Sequence, residues 1–234
     1  MNQKVLAIIP ARAGSKRIKN KNKLKLAGKE LVRYAIESTI SAKLVSTIAV
    51  SSDDDDILTI AKEYEGLYTI KRPLHISGDH AQAITYVDHT IETLKQSFDY
   101  VVIIQPTSPL TIGEDIDGTL NLLFNSTADS AVSIMKLDHA IHPVKIKKLK
   151  DLELLPYFEE ERNRMAAHEI PELYVRNCSV YASTINTIRH GKIIGDKCLG
   201  YLMPRERSLD INDPIDFDFA EFLMKRKYSK KNES

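Results

Sequence analysis

Short apolar runs alternate along the chain with stretches whose apolar residues recur every three to four positions. The runs end in prolines, glycines or polar residues, as buried strands of a parallel sheet do. They predict strands at residues 5–9, 47–51, 68–71, 100–104, 130–137 and 173–183. The intervening stretches predict helices that begin near residues 30, 57, 84 and 113, and a last helix that opens at Asp213 and Pro214. This alternation indicates a three-layer α/β fold, Rossmann-like, with a mostly parallel sheet.

The pattern changes between residues 138 and 172. Lysines alternate with apolar residues near position 145, an acidic and basic run follows at 159–164, and continuous apolar surface is scarce. A chain of 234 residues with 43% apolar content can bury one substantial core, so we expect a single domain over residues 1–234. Because short ribbons are marginally stable alone, residues 138–172 are predicted to be an inserted arm that packs on a partner.

A long basic loop follows the first predicted strand. From Arg12 to Arg33 the sequence has nine basic residues and one acid, although the whole chain has a net charge of only +1. Such a concentration of positive charge favours an anion, and the carboxyl end of a strand is where α/β folds bind ligands. Gly14 and Ser15 allow the backbone to bend toward phosphate oxygens. Neither GxxxxGK[ST] nor GxGxxG is present.

The composition of the chain argues against several classes of protein. The near-neutral charge and the absence of tryptophan argue against a general nucleic-acid binder. No run of 18 apolar residues and no secretory leader is visible, which predicts a cytoplasmic protein without a membrane span. The two cysteines, Cys178 and Cys198, lack CxxC spacing, so we expect neither a metal cluster nor a disulfide, and we interpret both as small buried residues.

Four aspartates at residues 53–56 suggest a metal site at first sight. They directly precede a predicted helix, however, where an aspartate caps the first turn and further acids interact favourably with the positive helix end. We therefore interpret this run as helix capping. Asp210, which also lies before a helix, would by the same reasoning alone be a cap.

Three blocks of the sequence carry a family resemblance. They are IPARAGSKR at residues 9–17, followed by Lys21-Asn22 and Ala27-Gly28-Lys29; QPTSPL at 105–110; and MPRERSLDI at 203–211. Together they resemble the signatures of the acylneuraminate cytidylyltransferases, also called CMP-sialic acid synthetases, over nearly the whole chain. The resemblance implies transfer of CMP from CTP to the anomeric hydroxyl of a nonulosonic acid, with release of pyrophosphate.

The resemblance also implies roles for individual residues. In the family the basic loop wraps the triphosphate, and an Arg-Pro…Asp-x-Ala-Ser pattern, here starting at Arg72, helps to hold the nucleotide. The implied nucleotide-binding residues are Arg12, Ala13, Gly14, Ser15, Lys16, Lys21, Asn22, Asp79 and Gln82. Gln82 stands where the family usually has Ser.

The resemblance also implies which residues bind the sugar and which bind the metal. The implied sugar-binding residues are Gln105, Thr107, Ser108, Lys145, Arg162, Arg164, Arg176 and Asn177. Asp210 is the main implied ligand for Mg²⁺, with Asn212 or Asp213 as a second, because Asn212 replaces the second carboxylate of the family's Asp-x-Asp. Arg12, Lys16 and Asp210 are the expected catalytic residues. The arm is implied to mediate a homodimer.

Two alternatives stay open at this point. The acceptor could be N-acetylneuraminate, legionaminate or another 3-deoxy-2-ketosugar acid, including the eight-carbon KDO. A nucleotide-binding homologue without catalysis is the other alternative, motivated by Asn212 and by Cys178-Ser179, which replaces Gly-Ala of the family pattern.

Overall fold

The computed structural model describes residues 3–15, 17–158 and 171–232. The strands are β1 (Val5–Pro10), β2 (Lys25–Leu26), β3 (Lys29–Glu30), β4 (Thr47–Ser52), β5 (Leu67–Lys71), β6 (Tyr100–Ile104), β7 (Ser130–Lys136), β8 (Lys147–Lys150), β9 (Glu153–Pro156), β10 (Tyr174–Thr184) and β11 (Cys198–Leu202). The helices are α1 (Leu31–Ser41), α2 (Asp55–Lys62), α3 (Ala83–Leu94), α4 (Gly113–Phe124), α5 (Ile185–Arg189) and α6 (Pro214–Asn232). None of the helices in these ranges has the length and apolar character that a membrane span requires.

Seven strands form the central sheet in the order β11-β7-β10-β6-β1-β4-β5. β10 pairs antiparallel with both of its neighbours, whereas all the other pairings are parallel. Six strands therefore run in one direction and end at the same edge, where open α/β sheets bind ligands. The mostly parallel three-layer fold predicted from the sequence is confirmed.

The sheet is covered on both faces, which explains the continuous apolar runs. In β1, Val5, Ala7 and Ile9 pack with α1, α2 and α4 on one face, and Leu6 and Ile8 pack with α3 and α5 on the other. All five side chains are fully buried. A strand buried on both faces needs apolar residues at every position rather than at alternate ones.

The loop after β1 ends in a two-residue hairpin. β2 and β3 pair antiparallel around Ala27 and Gly28, which both have positive φ angles (46° and 88°). Such a turn matches the twist of a short hairpin and favours glycine at its second position. Behind the hairpin, Leu26 packs in a small core with Ile211 and with Ala220 of α6.

The segment between β7 and β10 leaves the sheet and returns to it at one place. The Leu137 N–H donates to the Leu173 carbonyl (2.8 Å), directly beyond the pairing of β7 with β10. Within the segment, β8 and β9 form a hairpin whose Leu149 and Leu154 are 68% and 69% exposed. The expected role of this arm in dimerisation stays a prediction.

Several local expectations need correction. The strand β11, the helix α5 and the β2–β3 hairpin are not indicated by the sequence pattern. The cysteines are not buried as a pair of small core residues: Cys198 is exposed, because β11 is an edge strand, and Cys178 is half-buried at an irregularity of β10. The capping interpretation of residues 53–56 is confirmed in part, since the Asp54 carboxylate accepts from the Asp56 N–H (2.9 Å).

Candidate active site

A cleft of about 540 Å³ lies at the carboxyl ends of β1 and β6. Its walls come from the basic loop, the segment after β5, the turn after β6 and the segment before α6. Eight of the residues predicted from the sequence line it: Arg12, Ser15, Lys21, Asn22, Asp79, Gln105, Thr107 and Asn212. The topology therefore brings together residues from four separate parts of the chain.

The backbone of the basic loop is partly engaged within the protein. The Ala13 N–H donates to Asp53 Oδ1 (2.9 Å), and the Ser15 N–H donates to the Ala13 carbonyl (3.1 Å). These two amides are therefore not free for a phosphate in this state, and the expected contact of Ala13 with the nucleotide stays a prediction. At Gly14 a Cβ would meet nothing within 4 Å, so this glycine is not required by packing within the described protein.

Asn22 lines the cleft and has a buried acceptor without a partner among the described residues. Its Nδ2 donates to the Arg12 carbonyl (3.1 Å), which fixes the amide, and the residue is only 6% exposed. Its Oδ1 has no hydrogen-bond partner among the described residues. Since buried polar atoms in folded proteins are nearly always paired, this oxygen is suited to accept from a bound ligand or an ordered water.

Arg12 and Asp79 form an ion pair of 2.7 Å between the basic loop and the segment after β5. Both side chains are about one-third exposed, so solvent weakens their attraction. A phosphate entering the cleft would therefore compete with the Asp79 carboxylate for the Arg12 guanidinium.

Arg72, where the Arg-Pro…Asp pattern of the sequence starts, also lines the cleft, although it is not among the residues implied individually to bind the nucleotide. It is 4% exposed, its Nε and Nη2 donate to Ser51 Oγ (3.1 Å) and the Ser51 carbonyl (2.8 Å), and it lies over the ring of Tyr86 at 4.5 Å. Burial lowers the pKa of Arg72. No carboxylate pairs with it in the described part of the chain, so an anionic or strongly polar ligand would compensate this buried charge.

The turn after β6 places Gln105 beside Tyr86. The two side chains hydrogen-bond, and burial raises the pKa of Tyr86 to about 12. The Ser108 N–H closes the turn on the Gln105 carbonyl (3.1 Å). Ser108 itself is 2% exposed and does not line the cleft, because this turn directs its hydroxyl inward. Of the predicted pair Thr107 and Ser108, only Thr107 lines the cleft, and the role of both residues in sugar binding stays a prediction.

The segment before α6 is fastened to this turn and to the basic loop. The Ile211 N–H donates to the Thr107 carbonyl (2.8 Å), and Lys21 Nζ donates to the Ile211 carbonyl (2.5 Å). Burial lowers the pKa of Lys21, although the nearby Asp210 carboxylate acts in the opposite direction. Lys21 thus joins the two sides of the cleft.

Asp210 and Asn212 are the candidate metal ligands. Asn212 Nδ2 donates to Asp210 Oδ2 (2.9 Å), while Asn212 Oδ1 accepts from Arg17 Nη1 (3.4 Å). Asp213 is already engaged, because its Oδ1 accepts from the Asp216 N–H in the first turn of α6 (3.0 Å). Asp213 rather than Asp210 is therefore the capping residue here.

The donor set at Asp210 and Asn212 fits a hard cation such as Mg²⁺. One carboxylate and one amide oxygen leave several coordination positions, which Mg²⁺ commonly fills with water and substrate phosphates. No group of three or more His, Cys, Asp and Glu side chains that could hold a metal occurs among the described residues. A protein-only metal site is therefore not formed by the described part of the chain.

Several predicted residues are not brought to the cleft. Asn177 is buried in the sheet, where its Oδ1 accepts from Ser133 Oγ (2.6 Å) and its Nδ2 donates to Ser208 Oγ (2.9 Å). Both atoms of the amide are thus bonded inside the protein, and the expected contact of Asn177 with the sugar stays a prediction. Gln82 is the first residue before α3, and its side chain does not line the cleft.

The predicted basic residues of the arm lie apart from the cleft or outside the described residues. Lys145 is exposed and contacts His139 Nδ1 (3.0 Å), and Arg176 is exposed on β10 near the base of the arm. Lys16, Arg162 and Arg164 lie outside the described residues. Their roles stay predictions.

The fold and the cleft define a class of nucleotide-binding α/β proteins, with cations and oxygen donors gathered at the carboxyl edge of a parallel sheet. The sequence model of the family "Cytidylyltransferase" matches residues 6–197. The chain belongs to this family of nucleotidyltransferases.

Characterised relatives agree with this assignment. The chain is 28% identical over 232 residues to the N-acylneuraminate cytidylyltransferase of Escherichia coli O18:K1:H7, covering 99% of this chain. It spans only 54% of that protein's length. It is 30% identical over 236 residues to the CMP-N,N'-diacetyllegionaminic acid synthase of Legionella pneumophila, covering 94% of this chain and 96% of that protein.

A solved structure shares the fold. The CMP:2-keto-3-deoxy-manno-octonic acid synthetase complexed with CTP matches with a TM-score of 0.70 and 15% sequence identity, over 96% of this chain and 99% of that chain. At this identity the likeness shows the fold alone.

Proposed function

We propose that the protein transfers CMP from CTP to the anomeric hydroxyl of a nonulosonic acid and releases pyrophosphate. The observation that carries this proposal is the cleft itself. Lys21 joins the basic loop to the Asp210–Asn212 segment, and the same segment is bonded to Thr107 at the end of β6. Cations for a triphosphate thus line the same cleft as Asn212, and Asp210, which is not among the lining residues, is bonded to Asn212, in a chain of the cytidylyltransferase family.

The reaction needs positioning and charge compensation more than covalent chemistry. The anomeric oxygen forms a bond to the α-phosphorus of CTP. The bond from that phosphorus to the oxygen that bridges the α- and β-phosphates breaks, so that pyrophosphate leaves, and the hydroxyl proton is released. Arg12 and Lys21 line the cleft and are suited to bind phosphate oxygens. Arg72, buried and without a carboxylate partner in the described chain, and the Asn22 Oδ1 are suited to hold other polar groups of the nucleotide.

Magnesium belongs to the same proposal. Asp210 and Asn212 would hold the ion, and Mg²⁺, when bound, would neutralise phosphate charge and polarise the α-phosphate. Asn212 Oδ1 is turned to Arg17 in the free protein, so binding would require the Asn212 amide to rotate. The catalytic role of Lys16 completes this set as a prediction from the resemblance.

For the acceptor we propose a sialic-type acid, with the side of the cleft at Gln105 and Thr107 as its place. The names of the two relatives favour N-acylneuraminate and diacetyllegionaminate as acceptors. Our first choice is N-acetylneuraminate, and legionaminate or another 3-deoxy-2-ketosugar acid, including KDO, is the alternative. We also propose a cytoplasmic homodimer assembled through the arm, whose Leu149, Leu152 and Leu154 are 68%, 90% and 69% exposed.

Pyrophosphate release from CTP and Mg²⁺ tests the proposal, with N-acetylneuraminate, diacetyllegionaminate, pseudaminate and KDO assayed side by side. We expect release with at least one nine-carbon acid, and its loss in Asp210→Asn. Asp218→Asn is the matched control, because Asp218 is an exposed acid on α6 outside the cleft. CTP binding without release in any mixture would favour the alternative of a nucleotide-binding protein that does not catalyse the transfer.

A further inference from the structure

The acidic run Asp53–Asp56 contacts both ends of the first part of the basic loop. Asp53 Oδ1 accepts from the Ala13 N–H at 2.9 Å, near the start of the loop. Ten residues further along, Lys23 Nζ lies 2.8 Å from Asp54 Oδ2 and 2.8 Å from Asp56 Oδ2. The segment that the sequence indicated only as a helix cap therefore also holds the loop that forms the cleft.

The run is itself rigidly placed. It follows β4 directly, and the last residues of β4 bond to the neighbouring segments: the Ser51 carbonyl accepts from the Ala11 N–H (3.0 Å), and the Ser52 carbonyl accepts from the Arg72 N–H (2.7 Å). The Ser52 hydroxyl accepts from the Asp54 N–H (2.9 Å). Because the acidic run is held by β4, a loop that is bonded to the run is held in a fixed position relative to the central sheet.

We propose that Asp53, Asp54 and Asp56 are positioning residues that hold the basic loop in the conformation that binds the triphosphate. This inference rests on the proposed function, because it takes CTP as the ligand of the loop. Lys23 differs in this respect from Arg12, Arg17 and Lys21, which line the cleft: it does not line the cleft, and its ammonium group is bound by two carboxylates. It fastens the loop rather than binding the nucleotide.

The loop needs such support because it has little regular structure of its own. Between β1 and the β2–β3 hairpin it contains only a single 3₁₀ turn at Lys21–Lys23 in the described residues. Ordering a flexible loop on binding weakens affinity, and fixing it beforehand removes that loss. The bonds of Asp53 and of Lys23 fix positions 13 and 23, on either side of the residues expected to meet the phosphates.

Charge and positioning predict opposite results, which makes the inference testable. An Asp53 carboxylate close to a triphosphate repels it, so an effect of charge alone would make every neutral variant bind CTP more tightly. A positioning effect depends on the acceptor oxygen instead. Asp53→Asn keeps an acceptor for the Ala13 N–H, whereas Asp53→Ala removes it.

The experiment is calorimetric titration of CTP into the full-length protein without acceptor sugar. We expect Asp53→Ala to weaken CTP binding about tenfold, as loss of a hydrogen bond to a charged group does. Asp53→Asn should bind at least as tightly as the wild type. Asp55→Asn is the control, since Asp55 pairs with Lys71 (2.6 Å) and has no bond to any described residue of the loop. Asp53→Ala with wild-type affinity, or Asp53→Asn as weak as Asp53→Ala, would overturn the inference.

Amide hydrogen exchange without nucleotide separates this inference from the proposed function. The Ala13 amide should exchange at least tenfold faster in Asp53→Ala than in the wild type, and Lys23→Met should raise exchange at the end of the loop near residue 23. If the wild type does not bind CTP but these amides lose protection, the loop is held as proposed and the proposed function is wrong. Unchanged exchange in both variants would show that the acidic run does not hold the loop.

Discussion

The ion pair between Arg207 and Asp115 decides how firmly the Asp210 segment is attached to the domain. Arg207 Nε and Nη2 donate to Asp115 Oδ2 (2.9 Å) and Oδ1 (2.7 Å), in a bidentate arrangement. The Asp115 side chain is 0% exposed and the Arg207 side chain 26%. Asp115 also accepts from the Ile112 N–H (3.1 Å), so the pair connects the start of α4 with the segment that leads to the cleft.

Arg207→Met should be strongly destabilising. It leaves a buried carboxylate whose remaining bond in the described structure is the one from Ile112, and breaking a buried ion pair in this way costs about 3–5 kcal/mol. A quarter of Arg207 is exposed, so water can partly replace it, and we take the lower end, about 3 kcal/mol. For a domain of this size that loss corresponds to a fall in Tm of about 6–12 °C.

Urea unfolding followed by far-UV circular dichroism measures this loss; the chain has ten tyrosines and no tryptophan, so tyrosine fluorescence serves as the second probe. Arg205→Met is the matched control, because Arg205 pairs with Asp138 at 2.6 Å while 79% exposed. We expect that control to lose less than about 1 kcal/mol. Adding Asp115→Asn to Arg207→Met should recover about 1 kcal/mol by removing the buried charge. Equal losses in the two arginine variants would refute the reasoning.

Three further predictions concern the cleft and β10. Arg72→Met should weaken CTP binding at least about tenfold, and Arg72→Lys should not restore it, because lysine lacks the fork that donates to Ser51; wild-type affinity in calorimetry would remove Arg72 from the site. Since the pKa of Lys21 is lowered, kcat/KM for CTP should begin to fall below the usual lysine pKa of 10.5 as Lys21 loses its proton; Lys21→Arg should move this alkaline limb to higher pH, and an unmoved limb would assign it to another group. Cys178→Gly should stabilise the protein by about 1 kcal/mol, because Cys178 has a φ of +62° that disfavours a Cβ; Cys178→Ala, which keeps the Cβ, should show no such gain in urea unfolding.

The sequence predicts the central strands because burial on both faces demands continuous apolar runs. β11 (Cys198–Leu202) lies at the sheet edge, where its residues are only partly covered, and its sequence therefore lacks such a run. The sequence also does not predict that β10 is antiparallel, since side chains alternate in the same way along parallel and antiparallel strands. The inward position of Asn177 depends on a register shift between Arg176 and Tyr181, which no local pattern indicates.

The sequence predicts the part of the candidate site that comes from one continuous stretch of chain. It does not predict contacts between residues that are far apart in the sequence. Arg12, Lys21 and Asn22 stand in one loop whose charge and strand-end position indicate an anion site. Arg72 and Tyr86 come from two elements, and their stacking arises only when the segment after β5 folds against α3. The contact of Asp53 with the basic loop spans 40 positions in the sequence, and the capping interpretation gave no reason to expect it.

The single antiparallel strand has a consequence for how the protein can change over time. β10 is antiparallel to β7 and begins at the edge of the sheet where β7 ends. The segment between them therefore leaves and rejoins the sheet at one place, where Leu137 is hydrogen-bonded to Leu173. The length and composition of the arm can therefore vary without a change in the order of the strands or in the basic loop, which lies on the other side of β6. If the arm binds the acceptor or forms the dimer, as predicted, exchanging this one segment would change those properties and leave the basic loop and the cleft as they are.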